Sequence, residues 1–259
     1  MKPAERIPAW VWPLVLPILL LVFMQWRAGQ ADAPRYLVAP TQIAATWWEL
    51  LRTGGLLQDA WASLLRAYGG FAIGATAGVV IGLGCGVSQG LRSFFDPLVS
   101  LLYPVPKVAL LPIIITWLGF GDASKVAVIA VAVFFPTFIN SLYGAVAVRP
   151  RWIWAARNLG AGPVRIFWSV VVPSALPQVF NGLRSGLALS FIVLFAAEMV
   201  GARSGLGQLV MRAEEGMRYD WMYAAIFSIG LIGFASDRLL LVLRRRLLAR
   251  KFPGEERRV

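Results

Sequence analysis

Histidine is absent from the 259 residues, and cysteine occurs once, at Cys85. Histidine is the commonest metal ligand and the commonest general base near neutral pH, so the usual routes to metal and triad chemistry are missing. One cysteine excludes an internal disulfide framework. Charge is scarce too: 15% of residues are charged and 58% hydrophobic, against about 25% and about 45–50% in ordinary soluble domains. With a mean hydropathy of +0.68 these proportions argue against a soluble fold. No Gly-x-x-x-x-Gly-Lys-Ser/Thr loop is present, so the chain does not cradle nucleotide phosphates by that motif. Catalytic residues and a metal site are therefore not expected.

What the chain has is long apolar runs. A helix crossing a hydrocarbon core of about 30 Å needs roughly 20 mostly apolar residues. Six runs qualify: Trp10 to Trp26, Leu64 to Val87, Pro97 to Leu118, Lys125 to Val148, Pro173 to Val200 and Met222 to Leu243. The fold class expected is all-α and polytopic. Pro104, Pro106 and Pro112 predict a kinked or broken helix in the third run.

The formal charge of +12 raises nucleic acid as a partner, but the basic residues gather at run ends and in the tail after Leu243, where an anionic leaflet explains them. With both termini inside, the Ser88 to Asp96 turn and the Arg149 to Val172 segment are inside as well. That side then holds Lys2, Arg6, Arg92, Arg149, Arg151, Arg157, Arg165, Arg238, Arg244 to Arg246, Arg250, Lys251, Arg257 and Arg258. The other side holds Arg27, Arg35, Arg52, Lys125, Arg203, Arg212 and Arg218, diluted by seven acidic residues from Asp32 to Asp220. The positive-inside rule therefore predicts N-in/C-in.

A cleaved signal peptide is the alternative for the first run, because Lys2 and Arg6 precede it and Ala31-Asp32-Ala33 resembles a cleavage site. The run exceeds the usual 7–15 apolar residues, and Pro34 is a poor context. After it, Thr41 as cap predicts a short interfacial helix over Ile43 to Leu51, with Trp47 and Trp48 as anchors. The chain divides into residues 1–60 (first span and outer helix), 61–243 (a core of five spans) and 244–259 (a basic tail).

Between the fourth and fifth runs, Arg151 to Leu159 predicts about two turns of helix, with Trp152, Ala155, Ala156 and Leu159 on one face. Gly160 falls where a left-handed terminating residue is wanted, and Pro163 opens the next helix. Too short to be stable by propensity, this helix must be held by packing, and it makes a handle for another protein.

This stretch resembles the cytoplasmic Glu-Ala-Ala loop of ATP-binding cassette (ABC) importer permeases. Ala155, Ala156, Arg157 and Gly160 stand in place, followed by Val172-Pro173, Gly182-Leu183-Arg184, Ala197-Glu198-Met199 and Ser204-Gly205-Leu206-Gly207. Upstream, Ser63-Leu64-Leu65-Arg66, Pro104-Val105-Pro106, Trp117-Leu118-Gly119-Phe120-Gly121 and Phe134-Phe135-Pro136 are similar in kind and order to the nitrate, sulfonate and taurine branch. The likeness runs from about Trp61 to Leu243. It departs at the loop's glutamate, which is Trp154 here, so an ion pair made there by the family must be absent or replaced.

The resemblance implies a type I importer permease that translocates a small solute and hydrolyses no ATP. ATP and Mg would sit on a separate ABC ATPase, which the loop at about 149–172 contacts through Trp154, Ala155, Ala156, Arg157 and Gly160. A second permease copy, forming a homodimer, and a periplasmic or lipid-anchored solute-binding protein complete the machine. The expected cargo is a small organic anion such as a sulfonate or taurine, or nitrate; a thiamine-pyrimidine or riboflavin precursor is the alternative. An ion-coupled secondary transporter is a remote rival, because it wants buried Asp, Glu or His and repeated halves. A membrane enzyme would need a nucleophile with its base, and none is seen.

Two charged residues inside runs are candidates for the passage or its gate. Glu198 is either functional or placed near the outer end of the fifth span, wet or paired with Arg184 or Arg203. Lys107, in the broken third run, either attracts an anion or lines a subunit contact. Gly70, Gly74, Gly78, Gly82 and Gly86 form a small-residue packing stripe whose partner helix is left open. The eleven tryptophans, mostly at run ends, read as interfacial belts.

Overall fold

The computed structural model describes residues 12–249; Lys2, Arg6, Trp10, Arg250, Lys251, Arg257 and Arg258 lie outside them. Among the described residues the chain is helical throughout: α1 (Trp12–Ala28), α2 (Pro40–Thr53), α3 (Gly55–Val87), α4 (Gln89–Leu102), a 3-10 turn (Lys107–Leu110), α5 (Leu111–Leu118), α6 (Asp122–Val146), α7 (Pro150–Asn158), α8 (Pro163–Ile166), a π-helical turn (Phe167–Val171), α9 (Val172–Met199), α10 (Leu206–Glu215) and α11 (Tyr219–Ala249). Four helices are long and apolar enough to cross a membrane, at Gly55–Val87, Asp122–Val146, Pro163–Met199 and Tyr219–Leu248. The bent pair Gln89–Leu102 and Lys107–Leu118, taken as one span, makes a fifth.

The centre of the bundle is α6, packed between α3 and α9. The glycine stripe of α3 makes that packing close: a Cβ on Gly78 would sit 2.8 Å from the Phe134 carbonyl oxygen, and one on Gly82 2.6 Å from that of Phe138. The stripe thus serves the chain's own bundle. Ala67, Val128, Ile129, Val133 and Leu194 fill the space between the three helices. By contrast α1, whose main neighbour is α2, leaves Leu14 to Phe23 largely uncovered.

Several boundaries differ from those read in the sequence. α3 begins at Gly55, not Leu64, and α4 begins at Gln89, so Ser88 alone separates them and Pro97 lies inside a helix. α2 starts at Pro40, whose fixed φ suits the first helical position. Thr41 is therefore inside the first turn and caps nothing; its backbone N–H donates to Gln25 Oε1 at 3.2 Å, tying α2 to α1. Trp47 is no free anchor, since its indole N–H donates to Ser228 Oγ at 2.9 Å on α11, while Trp48 is exposed under Arg52. The long fifth helical segment begins at Pro163, ahead of the expected Pro173. Val172 N–H donates to Phe167 O, five residues back, and this shift of bonding accommodates Pro173, which has no N–H to give.

The third run breaks where its prolines stand. After Leu102 the chain turns through 91° across Tyr103 to Pro106. Lys107 closes the bend: its ammonium donates to the carbonyls of Leu102 at 3.0 Å, Tyr103 and Val105 at 2.8 Å, and lies 4.3 Å from the Phe135 ring centre. All three of its donors are thereby used. Lys107→Met is expected to destabilise the fold by about 1.5–3 kcal/mol, read as a lowered thermal unfolding midpoint. An unchanged midpoint would mean that this cation does not hold the bend.

Candidate functional site

Two constellations carry the residues singled out in the sequence, one at each end of the bundle. The first is the short helix between α6 and the long fifth segment. Pro150 at its first turn supplies a preset φ, and Gly160, at φ 77°, ends it in the left-handed conformation. Gly160 N–H donates to Arg157 O at 2.9 Å and Ala161 N–H to Ala156 O at 3.0 Å, the paired bonds of a Schellman cap. Pro163 then opens α8 with Gly162 before it. Helix, stop and restart are as expected.

The packing face is not. Ile153 and Ala156 turn inward and pack with Val148, Ile166 and Val171. Of the expected stripe only Ala156 joins them; Trp152, Ala155 and Leu159 face out, Leu159 with 88% of its surface exposed. Trp154 is 62% exposed, and Arg157 is exposed. α7 is thus capped at its end and open on most of its circumference, with tryptophan and arginine side chains on the open part.

The second constellation surrounds Glu198, which is fully buried near the end of α9. Arg66 Nη1 donates to its Oε1 at 2.7 Å, Ser63 Oγ lies 2.8 Å from its Oε2, and Gly207 N–H donates to the same oxygen at 3.0 Å. The guanidinium also donates through Nε to Asp122 at 2.7 Å and through Nη1 to Ser204 O at 2.6 Å. Asp59 accepts from Gly205 N–H at 2.7 Å and from Arg212 at 2.8 Å. Ser63 Oγ further accepts from Leu206 N–H at 2.9 Å. The cluster thus staples the turn at Ser204–Gly207 onto α3 and α9, with every carboxylate oxygen of Glu198 engaged.

Glu198 is therefore neither wet nor paired with Arg184 or Arg203. Arg184 is bonded to Asp237 on α11 at 2.7 Å, and Arg203 is exposed. Lys125, expected at the far surface, is 1% exposed, and its ammonium donates to the Phe120 carbonyl. Sequence reasoning does not single out Arg66, Ser63 and Asp59 as partners of this carboxylate. Their spacing of three and four places a polar stripe on one face of α3, and that stripe inside an apolar run is the available signal. The distant motifs at 63–66, 197–199 and 204–207 converge here, together with Asp122, which follows the motif ending at Gly121.

A family model described as "Binding-protein-dependent transport system inner membrane component" matches residues 74–249. The chain is 33% identical over 252 residues to the taurine transport system permease protein TauC of Escherichia coli (strain K12), covering 92% of each chain. It is 32% identical to the putative aliphatic sulfonates transport permease protein SsuC of Bacillus subtilis (strain 168), covering 95% of this chain and 90% of that one. Among solved structures, an inward-facing form of the MetNI methionine ABC transporter superposes with a TM-score of 0.61 at 22% identity, covering 75% of this chain and 96% of that chain.

Proposed function

This chain belongs to the family of binding-protein-dependent transport system inner membrane components, as the permease subunit of an ABC importer and a multi-pass protein of the bacterial inner membrane, and we propose that it couples a separate ATPase to its spans through α7. The observation that carries the proposal is the geometry of α7: a capped, exposed helix linked by the turn at Leu159–Gly162 to the fifth helical segment and packed through Ile153 and Ala156 on Ile166 and Val171, so that a push on α7 moves α9. Two arrangements of the spans, biased by the ATPase, then give alternating access. Trp154, Ala155, Ala156, Arg157 and Gly160 form this element; ATP and Mg sit on the partner, and this chain performs no catalysis.

Counting α1 and the bent pair as one crossing each gives six spans. The described part of α1 is 17 residues, or about 25 Å at 1.5 Å per residue. Even crossing number and the excess of Lys and Arg on one side support N-in/C-in, with α7 in the cytoplasm and the Glu198 cluster at the outer end. Two copies with the passage between them, and an external binding protein, complete the proposed assembly. Cargo is proposed to be a small organic anion, a sulfonate or taurine in the first place, on the strength of the named relatives. Within that frame Lys107 and Glu198 act by holding the bent span and the outer turn in shape.

The test is to purify the tagged chain gently and identify by mass spectrometry what accompanies it, beside a Gly160→Pro variant. Proline holds φ near −65° and cannot take the +77° found here, and no atom crowds the site, so the change strikes the cap alone. An ATPase subunit is expected with the native chain and lost from the variant. A native chain that emerges alone, folded, and stimulates no ATPase overturns the proposal.

A further inference from the structure

Successive residues of a helix are about 100° apart around its axis. Ile153 and Ala156 mark the side of α7 that faces the bundle, and the remaining arc is open. Around that arc stand Arg157, then Trp154, then Arg151, then the edge made by Leu159 and Trp152. Basic and apolar groups alternate, and Trp154 is separated from the Leu159–Trp152 edge by roughly 150°. No Asp or Glu occurs between Asp122 and Glu198 in the sequence, so Arg149, Arg151, Arg157 and Arg165 have no carboxylate in their own segment. Among the described residues none of the four makes an ion pair.

A bilayer surface is flat. It suits a helix with one apolar side and one basic side, and it covers less than half of the circumference. Two apolar edges on opposite flanks of Arg151 cannot both enter such a surface, whereas a concave protein groove covers both together.

Resting on the reading of α7 as the ATPase-coupling helix, we infer that the partner surface is an acidic groove containing an apolar socket for Trp154, with carboxylates facing Arg151 and Arg157. Where a permease carries glutamate at this position, a complementary groove would offer a cation; here that cation would meet an uncharged indole and two arginines. The groove and Trp154 are thus matched, and the pair excludes ATPases built for the glutamate pattern through like-charge repulsion.

The experiment places the intact tagged chain in lipid nanodiscs and titrates it with the ATPase that co-purifies with it. Native, Trp154→Phe, Trp154→Glu and Gly160→Pro chains are compared at low and raised salt, in phosphatidylcholine discs and in discs containing anionic lipid. Trp154→Phe is expected to bind within about threefold of native, Trp154→Glu at least about tenfold more weakly, and all to weaken as salt rises. Equal or tighter binding by Trp154→Glu, with Gly160→Pro still abolishing binding, overturns the groove and leaves the coupling helix standing. Native-like binding by Gly160→Pro overturns the coupling reading and the groove together. A Trp154 effect found only with anionic lipid overturns the groove in favour of a headgroup contact.

Discussion

Glu198→Ala is expected to destabilise the chain by about 3–5 kcal/mol, the cost of leaving a buried charge without its partner. Arg66 has 6% of its side chain exposed, and of its remaining acceptors Asp122 is largely in solvent while Ser204 is neutral. Ser63 O–H and Gly207 N–H lose an acceptor in the same substitution. Glu198→Gln keeps one carbonyl oxygen for two or three donors and should cost less, about 1–3 kcal/mol. Arg66→Met combined with Glu198→Leu removes both charges and should recover part of the loss, because a buried pair is weak as a source of net stability. Thermal unfolding of the purified chains in one detergent measures all three. If Glu198→Ala melts together with the native chain, water must reach Arg66, and the staple is not the rigid element described above.

The second large effect concerns the seam between α3 and α6. Gly78→Ala and Gly82→Ala each thrust a methyl group against a backbone carbonyl of α6, at 2.8 and 2.6 Å, where nothing flexible can yield. Each should cost about 1–3 kcal/mol, and together less than their sum, since one parting of the two helices relieves both clashes. Gly69→Ala is the control with the opposite sign. Its new methyl meets only Val126 side-chain atoms at 3.8 Å, so the gain in helix propensity, up to about 1 kcal/mol, should show. Loss of monodisperse protein on size exclusion for the double variant, with Gly69→Ala unharmed, is the expected result. Native behaviour of the double variant would mean that the helices do not approach as closely as found.

Features that depend on neighbours along the chain are legible in the sequence. The bend at Tyr103–Pro106 follows from the lost N–H groups and fixed φ of two prolines, and the end of α7 from a glycine placed where only a positive φ will do. The apolar runs locate the long helices. Pairings across distance are not legible in the same way. Nothing local in Glu198 says that its cation is Arg66, 132 positions earlier, when Arg184 and Arg203 stand nearer in the chain. A stripe of glycines announces a close approach without naming the helix that approaches. Side chains that look like anchors or caps, such as Trp47 and Thr41, are claimed instead by partners on α11 and α1. The inward face of α7 differs from the expected one because a two-turn helix offers too few residues for its apolar pattern to single out one side.

The π-helical turn at Phe167–Val171 sets the angular phase between α8 and α9. A π turn is an α-helix holding one residue more than the regular ladder needs. Removing one residue there would restore the ladder and turn α8 by about 100° relative to α9. Ile166 would leave the face it shares with Val171 and Val179, and Ile153 and Ala156 of α7 would lose the surface they pack on. The one extra residue at this joint therefore fixes where α7 is seated on the bundle.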